Sequence, residues 1–310
     1  MSLDTTDTTA TIVARPSYEG ANIRTWVGFK HFMYLVEGAV LQWLRDQGTS
    51  SRQLYLDHGL GVELIDCSVQ LPAVLELDDE VHATVTPGHG NRLAVVMTVA
   101  REGREVTICR ARVTIALVKE RAASAHRPAP AALKHLEVDD LSQAASSKAA
   151  TLTLAPGQSV QSAVAAEHPS HLWSWRIPYF YCHFSDRIQH SGVVRALEEV
   201  VDRFLHDRGI SVATLLNQRS WIPVVSRARV RLIAPAHMEE TLHVVFHVTD
   251  ILRDVMFEGR MTCYVQRGDT LVTVASADIL HGYAIAAGPG AGGLAQLDSE
   301  VIEALTGARR

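Results

Sequence analysis

The chain has 310 residues, 47% apolar and 20% charged, with 29 Lys and Arg against 34 Asp and Glu for a formal net charge of -5. That is enough sequence for two hydrophobic cores and too apolar a composition for a disordered chain. It lacks the clustered positive charge that nucleic-acid binding needs and any run of about 18 apolar residues that would span a bilayer, so neither nucleic acid nor membrane is an expected partner.

In chain order, residues 1–11 are acidic and Thr-rich, unlike a secretory leader. Phe29, Phe32, Met33, Val36, Val40, Trp43 and Leu44 then recur mostly at spacings of three and four, an apolar stripe down one side of a helix that Gly48 stops. Strands are expected over 61–71, 79–86, 92–101 and 104–118, the last two joined through Arg101-Glu102-Gly103-Arg104 at hairpin length. Residues 120–170, rich in Ala, Ser, Pro and His, read as an interdomain linker that crosses the molecule or is partly disordered, with a short helix near 131–141. Cys67, Cys109, Cys182 and Cys263 are scattered without a Cys-x-x-Cys pair, which signals neither a zinc knuckle nor a disulfide framework and suits a reducing, cytoplasmic setting.

The pattern then returns. Trp43-Leu44-Arg45-Asp46-Gln47-Gly48 reappears 161 residues later as Phe204-Leu205-His206-Asp207-Arg208-Gly209, and Ser68-Val69-Gln70-Leu71 reappears as Arg229-Val230-Arg231-Leu232. A second helix carries its stripe on Val193, Leu197, Val200, Val201, Phe204 and Leu205, followed by strands over 222–233, 240–250, 255–266 and 270–282. A repeat of this length implies two related domains, here 14–119 and 171–285. Each is an α+β unit whose antiparallel sheet must cover one central helix, and joining the two sheets side by side would satisfy their open edges. Residues 286–310 read as a flexible C-terminal tail; their glycines form no phosphate-binding motif between a strand and a helix.

Residues able to carry chemistry precede each helix. Asp186, Gln189 and His190 follow a strand-like stretch, 175–184. A carboxylate there could cap the helix, or it could orient a water beside N–H groups that polarise a carbonyl. His190 could act as an acid–base group or only pack. In the first unit Asn22 takes the place of Asp186 if the loop shifts by about one turn, and an amide can hold a water or carbonyl without acting as a base. Phe29, Phe32, Trp173, Trp175 and Tyr179 could line an apolar tunnel between the units or simply fill the core. Arg227 and Arg229, with Arg231, could form a basic rim for a phosphate-bearing substrate or a solvated strand face.

Phe184-Ser185-Asp186-Arg187-Ile188-Gln189-His190-Ser191-Gly192-Val193-Val194 resembles a segment of the 4-hydroxybenzoyl-CoA and acyl-carrier-protein thioesterases of the hotdog superfamily. That segment carries an Asp, a His four residues later and usually two Asn; Asp186 and His190 match, whereas Ile188 and Gly192-Val193 do not. Tyr18-Glu19-x-x-Asn22-Ile23 and Val27-Gly28-x-x-x-Phe32 resemble the small hotdog thioesterases of enediyne polyketide pathways, in which an Asn marks the site. The resemblance spans about 14–118 and 173–283 and implies a double hotdog, two central helices each wrapped by an antiparallel sheet. It also implies an acyl thioesterase acting on acyl-CoA or an acyl or polyketidyl carrier protein, without metal or redox cofactor, and able to pair as a homodimer. Asp186 is the first choice to activate water or attack the carbonyl. Glu198 and Glu199 come second, since some hotdog enzymes use a helix acid, and Glu37 aligns with Glu198. The alternatives are a dehydratase, with His183 or His190 as base and Glu198 or Glu199 as acid, a cyclase, and a non-catalytic acyl-binding module. Asn22 against Asp186 implies unequal sites.

Overall fold

The computed structural model describes residues 9–164 and 170–307. Its strands are, in chain order, β1 (Ala10–Ala14), β2 (Leu60–Gln70), β3 (Val81–Pro87), β4 (Arg92–Arg101), β5 (Arg104–Lys119), β6 (Glu137–Val138), β7 (Thr151–Thr153), β8 (His171–Arg176), β9 (Trp221–Leu232), β10 (Thr241–Leu252), β11 (Met256–Arg267) and β12 (Thr270–Ile285). Alternation explains them: in β4, Leu93, Val95, Met97 and Val99 are buried while the residues between face outward, the period of a sheet covered on one face. All the strands join one sheet in the order β1-β3-β4-β5-β2-β9-β12-β11-β10-β8, with β6 beside β5 and β7 beside β12.

Two 18-residue helices, Phe29–Asp46 and His190–Asp207, share a single core with the covered face of this sheet. Their stripes are the expected ones, with Met33, Val36, Val40 and Leu44 on the first helix and Val193, Leu197, Val200 and Phe204 on the second all buried. The two units meet at β2 and β9, so the sheets do join edge to edge. Ser68 pairs with Arg229, its own repeat counterpart, which puts a pseudo-twofold axis through that pair. The copying extends to detail. Ile65 is a bulge in β2 and Ser226, 161 residues on, is a bulge in β9. Ser50 and Ser211, another such pair, cap the short helices that follow the central ones.

Three segments differ from expectation. The stretch 175–184 is strand only to Arg176, then a 3-10 turn at Tyr179–Tyr181. The linker holds a 3-10 helix at Ala131–Leu136 instead of a helix to 141, and it crosses from β5 to add β7 to the edge of β12 at Thr270–Val272. The expected flexible tail is exposed over 287–294 but packs against the core from Ala295 onward. Ala295, Leu297, Val301 and Leu305 are buried, and Asp298 caps the helix Ser299–Thr306. Its apolar residues fall at spacings of two and four, a stripe that the neighbouring glycines obscure in the sequence.

Candidate functional site

The pseudo-twofold axis places the start of each central helix opposite the middle of the other. Two cavities lie there. The larger, about 1110 Å³, is lined by Asn22, Gly28, Phe29, Lys30 and Phe32 of the first unit and by Trp173, Trp175, Arg195, Glu198 and Glu199 of the second. The smaller, about 450 Å³, is lined by Glu37, Leu41, Ser51 and Glu63 of the first unit and by His183, Gln189 and His190 of the second. The smaller volume lies within the usual range of small-molecule sites, about 300–1,000 Å³, and the larger slightly above it.

Backbone bonds fix how the loops before the helices correspond. Gly28 N–H donates to Gly20 O at 3.0 Å, as Gln189 N–H donates to Tyr181 O at 3.1 Å. Val27 N–H reaches Leu75 O as Ile188 N–H reaches Ala236 O, both at 2.8 Å. Leu77 N–H reaches Thr25 O at 3.0 Å as Met238 N–H reaches Asp186 O at 2.6 Å. Every pair is offset by 161 with no shift. The counterpart of Asn22 is therefore His183, and that of Asp186 is Thr25, which corrects the expected match of Asn22 with Asp186.

In the larger cavity the parts converge on Gly28, which begins the first central helix with no capping side chain. A Cβ on Gly28 would lie 3.7 Å from both Asn22 Nδ2 and Glu198 Oε1, so the amide and the carboxylate approach one point over the helix start. The first N–H groups of a helix have no intrahelical acceptor and carry the positive end of its dipole. Glu198 is held by its other oxygen: Lys30 Nζ is 2.7 Å from Oε2. Burial works to lower the Lys30 pKa, but the hydrogen bond and charge of Glu198, with Tyr34 and Glu19, outweigh it and leave the ammonium raised. Arg195 Nε donates to Tyr34 Oη at 2.7 Å, joining the two helices at equivalent positions. Trp173 and Trp175 alternate on β8 and stack 5.3 Å apart, giving the cavity an aromatic wall.

Gly28 has φ -68°, which any residue adopts, and a Cβ there would make only ordinary contacts. Gly28→Ala is therefore expected to keep its thermal midpoint yet crowd the point between Asn22 and Glu198.

The other candidates lie elsewhere. Asp186 lines neither cavity; its carboxylate is paired with Arg121 and, at 3.4 Å, with His237 Nδ1. Burial works against its charge, but Arg121 and His237 prevail and hold its pKa below the usual value. Glu199 is at the edge of the larger cavity, paired at 2.7 Å with Arg203 one turn along. Tyr179 is 72% exposed and outside both cavities. Arg227 and Arg229 point away from the helices, opposite the buried Ala228 and Val230, and pair with Glu258 and Asp66. Sequence reasoning missed Lys30; its spacing of two from Gly28 at the helix start was the available signal.

The smaller cavity differs in charge. Ser191 stands where the repeat puts Lys30, and burial pushes the Glu37 carboxyl up to about 7 against a weak opposing pull from Arg195. A carboxyl raised from 4.5 keeps its proton in the folded state while the unfolded chain has lost it, so stability falls as pH rises from about 4.5 to 7. Glu37→Gln should remove up to about 1.4 kcal/mol per pH unit of that slope, as measured by urea unfolding between those limits. Among the described residues no group of three or more His, Cys, Asp or Glu could hold a metal ion, and no helix is long and apolar enough to cross a membrane.

No protein-family model and no curated protein sequence matches the chain. Solved structures do. The 12:0-ACP thioesterase of Umbellularia californica superposes with a TM-score of 0.57 at 10% identity, over 89% of this chain and 94% of that one. An acyl-ACP thioesterase of Bacteroides thetaiotaomicron gives 0.54 at 10% identity, over 90% and 100%. The fold is a double hotdog. In this double hotdog both cavities sit between the units, each needing the helix start of one and the helix acid of the other.

Proposed function

We propose that the protein is an acyl thioesterase whose hydrolytic site is the larger cavity. The observation that carries this reading is the convergence of Asn22 Nδ2 and Glu198 Oε1 over the uncapped start of the first helix, beside an apolar wall. A thioester carbonyl directed at the helix start would find N–H donors for the negative charge that develops on its oxygen. Glu198 Oε1 is free to take a proton from water as the water oxygen attacks the carbonyl carbon, because Lys30 engages only Oε2. Asn22 can hold that water or the carbonyl by its amide. Collapse of the tetrahedral intermediate breaks the C–S bond, and the proton on Glu198 neutralises the departing thiolate.

The acyl chain would lie along Phe29, Phe32, Trp173 and Trp175. The substrates that fit are acyl-CoA and acyl or polyketidyl carrier proteins; the two structural neighbours are themselves named as acyl-ACP thioesterases. The four free cysteines, three of them buried, suit a reducing cytoplasmic setting. Thiol release from matched acyl-CoA and acyl-carrier-protein panels, with product masses recorded, tests the reading in wild type, Glu198→Gln, Asn22→Ala and Asp186→Asn. Release lost in Glu198→Gln and kept in Asp186→Asn supports it, and the reverse moves hydrolysis to Asp186. A product lighter by one water would indicate a dehydratase or cyclase, and unchanged bound acyl chain a binding module.

A further inference from the structure

The smaller cavity is the repeat counterpart of the larger and keeps its helix acid, Glu37 for Glu198, yet three positions around the helix start have changed. His183 replaces Asn22, His190 replaces Phe29, and Ser191 replaces Lys30. Had the cavity merely decayed into core, apolar side chains would be expected where His190 stands. Instead the His190 ring is 2% exposed with neither nitrogen bonded to the protein, and it lines the cavity. Glu63 Oε2, on the same wall, is likewise buried and unpartnered. Buried polar groups are almost always satisfied, so three unused hydrogen-bonding atoms around one space imply something that enters it.

We propose that the smaller cavity binds a neutral, hydroxyl-bearing organic ligand, specifically the hydroxyl end of a β-hydroxyacyl chain, and does not hydrolyse it. The choice of an acyl chain rests on the thioesterase reading; the hydroxyl is argued from the cavity itself. An anion is disfavoured, since no Lys or Arg is among the described residues lining the cavity, and Arg187, the cation that reaches Glu63 from behind it, is already bonded to both Glu63 and Glu120. A hydroxyl both donates and accepts, which the imidazole, the Gln189 amide and the carboxyls of Glu37 and Glu63 can each complement. Hydrolysis is not expected, because no ammonium orients Glu37 as Lys30 orients Glu198.

The test compares amide analogues of a β-hydroxybutyryl and a butyryl thioester, which cannot be hydrolysed, by calorimetric titration of the full chain. Wild type should bind the hydroxylated analogue at least about tenfold more tightly, since a site built to pair a hydroxyl rejects the compound lacking it. His190→Phe, which installs the first unit's residue, should abolish that preference, and so should Glu37→Leu, which guards against a misfolded His190 variant. Equal binding of both analogues by wild type would mean that the cavity holds water only and overturns the proposal. A preference kept by both variants but lost in Asn22→Ala would move hydroxyl recognition to the larger cavity and overturn it too. Hydrolysis surviving in Glu198→Gln would sink the thioesterase site without altering this comparison.

Discussion

Glu198→Gln is expected to lower thioester hydrolysis by about 100- to 10,000-fold, the range lost when a positioned acid–base group is removed. The side chain is 40% exposed and among the described residues its ionic partner is Lys30, so the variant should fold as wild type does. Glutamine keeps the shape and can still reach the point over Gly28, but it cannot take a proton from water. Asn22→Ala should cost less, because it removes a hydrogen bond to water or carbonyl and leaves the base and the helix N–H groups in place. Lys30→Met separates orientation from chemistry. With the Oε2 contact gone the carboxylate can rotate, so kcat should fall while KM changes little. An intact rate in Glu198→Gln, with thiol release unchanged, would remove the larger cavity from the mechanism.

The repeat made the fold legible, because periodic burial is a local signal and the same signal appears twice. Both central helices and eight strands could be placed from stripes and alternation alone. Of the two edge strands, β1 was not legible and β8 was read only at its end, within the strand-like stretch 175–184: each has few buried side chains and is a strand because β3 and β10 offer it a pairing edge. Sites were harder. Asp186 precedes a helix and matches a family pattern, but sequence cannot show that Arg121, from the linker, and His237, from a distant loop, hold its carboxylate. Glu198 and Asn22 lie 176 positions apart and meet only through the pseudo-twofold axis. A one-turn loop shift paired Asn22 with Asp186 on chemical similarity; the backbone ladder, which has no such shift, pairs it with His183. Backbone register, unlike side-chain type, is not written in any single residue.

That register also sets the largest expected effect on stability. Arg187, buried at 4% exposure, stands where the first unit has Trp26, and its guanidinium bonds Glu63 of β2 and Glu120 at the start of the linker. One side chain thus ties the first unit, the linker and the approach to the second helix together. Arg187→Met should destabilise the protein by about 3–5 kcal/mol, since it strands two acids that are 1% and 2% exposed. The loss should depend on pH in a defined direction. Burial already pushes the Glu63 carboxyl up to about 7 and raises Glu120 despite Arg187, and removing the cation raises both further. Protonated acids are cheaper to bury, so urea unfolding should show a smaller loss at low pH and a larger one above about 7. Replacing all three residues together with apolar ones should recover most of the stability, because what costs is the unpaired charge rather than the missing ion pair. Gly61 sharpens the point: a Cβ there would lie 1.8 Å from Glu120 Oε1, so Gly61→Ala should reproduce part of the Arg187→Met loss by displacing one acid while leaving the cation intact.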